Sequence, residues 1–313
     1  MDKQILHITN GDSLTSCLRD LDFPGEILTW EEMLCEGPTL EYIYTNKFLD
    51  LRKSFFSSYY DIELDVTKIK QEIDKLNHPE HYSEIVLWFE YDLFCHINMV
   101  AVITLIHQKK IKLPISLVCS GRTVGSKNLK GLSDLSQDQL ENHYNSKVRL
   151  TEDDISLAKN VWRIYCGIDH NLFKPLIMQS SSFKYLSNCL KAHLERFPDS
   201  KTGLNILETN ILKIVKDSAI TSRHHLLGYA LNYQGYYGYG DLQLSRMIDN
   251  LSVFFTETEQ SLTLNRKGHE ALLGLHNVSA EFHNDMIFGG VKKVGFQFSK
   301  EKNKLIKSIL NAY

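Results

Sequence analysis

Four short, near-continuously apolar runs at residues 5–9, 26–30, 84–89 and 115–119 alternate with stretches of helical spacing, and this alternation constrains the chain most. A strand that is apolar on both faces must be covered on both faces, which an antiparallel sheet with one side in water does not provide. Strands separated by helices supply that cover through crossovers, so residues 1–150 are expected to form a Rossmann-like α/β domain with a parallel sheet. The first strand is expected at or beside the centre. Three of the runs end in turn chemistry, Asn10-Gly11-Asp12 after the first, Glu36-Gly37-Pro38 beyond the second and Ser120-Gly121 after the fourth, and Asp92 begins a helix after the third. Helices are expected over residues 13–20, 48–60, 66–77 and 93–108.

The second half reads as mainly helical. Thr151-Glu152-Asp153-Asp154 has the form of a capped helix start, and Ile155, Ala158, Val161, Trp162 and Tyr165 recur on one face. A second amphipathic helix ends before Pro198, and residues 198–203 have the composition of a linker. Three short helices follow at 204–216, 222–232 and 242–251, then two short strands at 253–256 and 261–264, the layout of a winged helix. With 313 residues and 43% hydrophobic content the chain can bury a sizeable core. The expected organisation is an α/β domain at 1–150, connecting helices at 151–198 and a winged-helix-like module at 204–313.

Charge is divided unevenly. Residues 1–150 carry 16 basic and 22 acidic side chains, residues 151–313 carry 19 and 16. The acidic first half would repel a phosphate backbone unless a metal ion intervened. The basic run from Lys292 to Lys307 is expected to be the solvated face of a terminal amphipathic helix. Nucleic acid is not expected as a partner: Gln243, Arg246 and Asn250 on the third short helix are offset by Asp241 and Asp249, and Glu257 and Glu259 stand at the hairpin turn. The six cysteines form no C-x-x-C pair, which disfavours a structural zinc site and suits a reducing cytoplasm. The longest apolar stretch is too short for a membrane span, so no membrane partner is expected.

In open parallel sheets ligands bind beyond the carboxyl ends of the strands, where loops and helix starts converge. That rule selects Asn10, Gly11, Asp12 and Ser13 after the first strand, Glu31, Glu32 and Glu36 after the second, Glu90 and Asp92 after the third, and Ser120, Gly121 and Arg122 after the fourth. Acidic groups recur at three of these ends. Asp12, Glu90 and Asp92 are the expected ligands for Mg²⁺ or Mn²⁺, and Asp12, Glu36, Glu90 and Asp92 the expected acid/base set. His7, Asn10, Gly11, Ser13, Gly121 and Arg122 are the expected ligand contacts. Gly11 would let backbone approach a ligand, and amides at the next helix start could meet an anion. A plainer account stands beside this one: Asp12 and Asp92 each precede a helix and could be N-caps, Glu36 could be a solvated turn residue, and His7, inside a strand, could be a core histidine.

Other chemistry finds little support. Residues 121–127 do not match the spacing of a phosphate loop, no G-x-S-x-G elbow or G-x-G-x-x-G turn is present, and Pro79 argues against His78 and His81 converging on a metal. The strings HITNGDSL (7–14), LTWEEMLCEGP (28–38) and VLWFEYDLFCH (86–96) resemble the uncharacterised bacterial family catalogued as domain of unknown function 1835, over roughly residues 5–120. The resemblance puts His7, Gly11, Asp12, Glu36, Gly37, Pro38, Trp88, Glu90 and Asp92 on motif positions and implies no particular reaction. The reading is therefore an acidic ligand or metal site at the strand ends, fitting metal-assisted chemistry on a phosphorylated or nucleotide-like small molecule. The alternative is a non-catalytic ligand sensor whose winged-helix-like module contacts protein or DNA.

Overall fold

The computed structural model describes residues 3–121, 129–282 and 284–308. Its main sheet is assembled from β1 (Gln4–Asn10), β2 (Glu26–Trp30), β4 (Tyr82–Phe89), β5 (Ile115–Cys119) and β6 (Val148–Arg149) in the order β2-β1-β4-β5-β6. The first four are parallel, with Thr9 opposite both Thr29 and Trp88, and Trp88 opposite Val118. β6 pairs antiparallel with β5, so the sheet is mixed rather than wholly parallel. The helix α5 (Gln137–Asn145) ends just before this two-residue strand, which then runs back along β5 with Leu117 opposite Val148. β1 lies beside the central strand, as the double-sided apolar pattern required.

Alternate residues feed two cores. Leu6, Ile8, Leu28, Trp30, Ile85 and Leu87 point to one face, covered by α2 (Asn46–Tyr60), α3 (Val66–Asp74) and α4 (Leu93–Gln108). Ile27, Val86, Trp88 and Val118 point to the other, covered by Leu14 and Leu18 of α1 (Asp12–Asp20) and by Leu132, Leu135 and Leu140. α4 is buried on every side from Cys95 to Ile106, because α6 (Glu152–Cys166) and α8 (Leu186–Glu195) pack on the surface it turns from the sheet. No helix among the described residues is long and apolar enough to cross a membrane.

The second half contains the expected helices α9 (Ile206–Asp217), α10 (Arg223–Asn232) and α11 (Asp241–Asn250), then an antiparallel hairpin of β7 (Phe255–Glu257) and β8 (Leu262–Leu264). α7 (Phe173–Ile177) and α12 (Arg266–Leu273) complete the helices. Three features differ from the sequence expectation. The basic tail is not an amphipathic helix: it forms β10 (Val291–Lys292) and the hairpin of β11 (Phe296–Ser299) with β12 (Lys304–Lys307). Residues 198–203 are not a loose linker, since the buried Asp199 carboxylate accepts from the Lys201 and Thr202 amides while Phe298 pairs with Pro198 and Ser200. The halves also share a sheet, with β3 (Gly37–Pro38) running parallel to β9 (Ile287–Gly289), and one hydrophobic core runs from Leu6 to Leu305 across the expected boundaries.

Candidate functional site

A cavity of about 650 Å³ opens beyond the carboxyl ends of β1 and β2. Its inner surface is apolar, with Trp30, Met33, Phe56, Ile62, Leu64 and Phe94, and it also carries Glu31, Glu32, Glu63, Asp65 and Asp241 against Lys68. Asn10 and Gly11 lie on its floor, and the first turn of α11 forms one wall. Gly11 is the N-cap of α1 at φ 93°, in the left-handed region, and a Cβ there would meet nothing within 4 Å. Among the described residues no side chain caps α1, whose N-cap Gly11 lines the cavity. At α4 the first amides, those of Leu93 and Phe94, donate to the Tyr236 and Tyr237 carbonyls.

Of the strand-end carboxylates only Glu31 and Glu32 line this cleft; Asp12, Glu36, Glu90 and Asp92 do not. Asp12 is the first residue of α1 rather than its cap, and its exposed side chain lies 3.8 Å from Lys68, which bonds Glu31 at 2.8 Å. Burial raises the Glu31 pKa, while Lys68 opposes the shift. Glu32 is fully engaged by the buried Arg52 at 3.0 Å, and the same guanidinium donates to the Met33, Glu36 and Pro38 carbonyls, locking the loop after β2 onto α2. Ser13 is exposed on α1.

Glu90 and Asp92 do come together. With Cys95 they place one ligand atom each within 4.8 Å of the others, which leaves Asp12 outside the expected metal set. The Asp92 carboxylate caps α4 by accepting from the Cys95 amide at 2.8 Å, so it has the structural role as well. Burial raises its pKa. Glu90 accepts from the Leu132 amide at 2.6 Å; burial first, then the negative charge of Asp92, push its pKa up to about 7. Gly238, at φ 66°, packs so closely that a Cβ would sit 2.1 Å from the Asp92 carboxyl carbon, and only glycine fits. Asn10 connects this group to the cleft: its amide donates to Cys95 Sγ at 3.1 Å and accepts from Asn98 at 2.8 Å. Gly121 packs against the Tyr185 hydroxyl, and Arg122 lies outside the described residues.

Two expected positions require correction. His7 is a core residue: Trp88 Nε1–H donates to its Nδ1 at 3.0 Å, its Nε2–H donates to the Pro24 carbonyl at 3.0 Å, and it is 0% exposed. Both ring nitrogens are used and burial lowers its pKa, so no lone pair remains for a ligand. Glu36 is neither solvated nor in the cleft. It accepts the Tyr60 hydroxyl and lines a separate water-sized polar cavity with Arg196, Glu208, Arg246 and Lys293. Burial raises its pKa, opposed by Tyr60 and by the cations.

That cavity holds groups the sequence reading missed. Lys293, counted in the solvated tail, is 3% exposed and donates to Glu208 at 2.6 Å. Arg196 is held by a buried relay in which His170 Nε2–H donates to the Tyr165 carbonyl, His193 Nε2–H to His170 Nδ1 at 2.8 Å, and Arg196 to His193 Nδ1. Both histidines are kept neutral, by burial first and by the Arg196 charge, with His170 lowered to about 4. Gln243 lines both cavities and donates to Cys35 Sγ at 3.4 Å. His78, Glu80 and His81 also converge, contrary to expectation, because Pro79 begins a single 3₁₀ turn that stacks the two imidazoles at 5.4 Å on the surface. Arg246, on the third short helix, pairs with Asp285 at 3.0 Å and lies over Tyr59, while Arg223 bridges Asp249 to Glu257.

No family model matches the chain, and no curated protein matches it.

Proposed function

We propose that the protein binds a phosphorylated, nucleotide-like small molecule in the cleft beyond β1 and β2, together with a divalent cation, Mg²⁺ or Mn²⁺. The observation that carries this reading is a hollow of about 650 Å³, within the roughly 300–1,000 Å³ of small-molecule sites, that reaches the N-cap Gly11 of α1. Amides at the α1 start suit phosphoryl oxygens, Trp30 and Phe94 suit a ring, and the carboxylates of Glu31, Asp65 and Asp241 call for a cation between themselves and an anionic ligand. The cleft lies beyond the carboxyl ends of two adjacent parallel strands, the edge at which open α/β sheets bind ligands, and β1 borders β4 on its other side. Six free cysteines support a cytoplasmic setting, and the three N-terminal motifs support membership of the resembled family.

Thermal unfolding with Mn²⁺ alone, a nucleotide panel alone, and both together tests this. A ligand at one hundred times its Kd adds about 2.7 kcal/mol of stability, and the shift should require both components and shrink in Glu31→Gln. Absence of any shift with phosphorylated compounds, with or without metal, would refute it.

One observation favours a regulatory variant: the cleft wall is made by Gly240, the N-cap of α11, and by Asp241, Leu242 and Gln243 of its first turn, and α11 is the last of the three helices before the β7–β8 hairpin. Ligand binding would then reduce hydrogen exchange in α11 and the β7–β8 hairpin, and unchanged exchange there would dismiss the sensor.

A further inference from the structure

The amino-terminal edge of the sheet offers a second hollow of different chemistry. α4 ends where Lys110 turns into the left-handed region at φ 58° and the Ile111 amide returns to the Ile106 carbonyl at 3.2 Å. The chain then runs back through Lys112 to the start of β5. Between this return and α6 lies a cavity of about 450 Å³, floored by Ile103, Ile106, Ile115 and Ile155 and flanked by Ile111 and Leu113. His107, Lys110, Lys112 and Glu152 make its rim. Lys159 adds a further cation by donating to His107 Nε2 at 3.0 Å.

We propose that this hollow binds a free, unbranched aliphatic carboxylate of medium chain length, with its chain among the isoleucines and its carboxylate between Lys110 and Lys112. The lining is aliphatic and holds no phenyl or indole ring, so a flexible chain gains more from it than a flat ligand would. The rim is complementary in charge, with Lys110 and Lys112 against the lone carboxylate Glu152, and it stands at the opposite end of the sheet from the acidic cleft. Lys110 adds a separate argument. A helix that ends in the left-handed conformation normally places glycine or asparagine there, since a β-carbon is disfavoured. A lysine at that position gives up backbone stability while putting an ammonium on the rim.

Calorimetric titration with octanoate, decanoate and decyltrimethylammonium provides the test, on the wild-type chain and on Lys110→Gly, Lys112→Ala and Ile155→Asp. Decanoate should saturate at one site, roughly tenfold more tightly than octanoate, because two further methylenes are buried. The ammonium with the same chain should bind more weakly. Lys110→Gly should melt at or above the wild-type temperature and yet lose roughly three- to tenfold in decanoate affinity, which growing salt should erase. Lys112→Ala should lose a similar factor, and Ile155→Asp should abolish binding in a protein shown to be folded by its melting transition. The proposal is overturned if decanoate does not saturate, if the ammonium binds as well, if Lys110→Gly keeps full affinity, or if anionic phosphatidylglycerol vesicles bind while free decanoate does not. None of these outcomes depends on the nucleotide-cleft reading, and each leaves that reading to its own test.

Discussion

Replacing Glu90 by glutamine should change how stability depends on pH by an amount set by one side chain. The Glu90 carboxyl has a pKa of about 7 in the folded protein and about 4.5 when unfolded, because burial and the adjacent Asp92 both oppose its charge. Between these values the folded chain holds a proton that the unfolded chain has released. A carboxyl whose folded pKa is raised contributes fully below its unfolded value, and the contribution is lost as pH rises through the folded value. The gap of about 2.5 units corresponds to about 3 kcal/mol at 1.36 kcal/mol per unit. Wild-type stability should therefore fall by that order between pH 4.5 and pH 8, beyond whatever other groups contribute. Glu90→Gln keeps an oxygen to accept from the Leu132 amide, removes the charge and should flatten this part of the profile.

The assay is urea unfolding of both proteins at half-unit pH steps, with their difference isolating the substituted group. The variant should match the wild type near pH 4.5 and exceed it at pH 8, equivalent to about 5 °C in Tm for a chain of this length. Parallel profiles would refute the argument, since they would mean that the carboxyl is no more desolvated folded than unfolded. The same titration predicts a metal effect. If Glu90 and Asp92 hold Mn²⁺, a stabilising shift should emerge above pH 7 and vanish by pH 5.5, because the cation must displace the proton.

The remaining expectations concern groups whose partners lie far along the chain. Arg52→Met should cost about 3–5 kcal/mol by chemical denaturation, since it strands the buried Glu32 carboxylate and frees three loop carbonyls; Glu32→Gln paired with it should recover part of the loss. Lys293→Met should be similarly destabilising, through Glu208, whereas Lys300→Met, at an exposed site, should be neutral within about 0.5 kcal/mol. His193→Phe should lower stability by about 1–3 kcal/mol, because both His170 and Arg196 lose their partner in the relay. Gly238→Ala should perturb the α4 start, detectable as faster amide exchange at Leu93 and Phe94; unchanged exchange would show that the 233–240 loop yields without disturbing the helix.

The sheet was legible because its signal is periodic and local. Each parallel strand carries apolar residues on both faces, and each crossover begins with a recognisable turn, so existence, type and central placement follow from sequence alone. β6 escaped because two exposed residues, Val148 and Arg149, carry no pattern; only pairing to β5 makes them a strand. The tail escaped for a related reason. Alternating lysines read equally as one helix face or as the outer side of a hairpin, and what decides is that Phe296, Phe298 and Leu305 find the core through a strand period.

The candidate site was half legible, and the missing half has a physical cause. Strand ends are fixed by sequence position, so the rule for open sheets brought Asn10, Gly11, Glu31, Glu90 and Asp92 to the correct edge. Where each carboxylate then points is decided by partners that the local sequence does not contain. Asp12 turns outward to Lys68, Glu32 inward to Arg52, and Glu36 away to Tyr60 and the Arg196 cavity. The two inward displacements follow the same energetics: a carboxylate entering the interior must meet a donor or a cation, here supplied to Glu32 and Glu36 by Arg52 and Tyr60 of α2. Glu90 and Asp92 are the exception, since among the described residues no basic side chain pairs with them and their partners are amides, a thiol and each other. Burial raises the pKa of both carboxyls and the charge of Asp92 raises that of Glu90 further, and this desolvation with one-sided repulsion, rather than the mere count of acids at the sheet edge, distinguishes the pair as the group that a bound metal ion or a transferable proton would relieve.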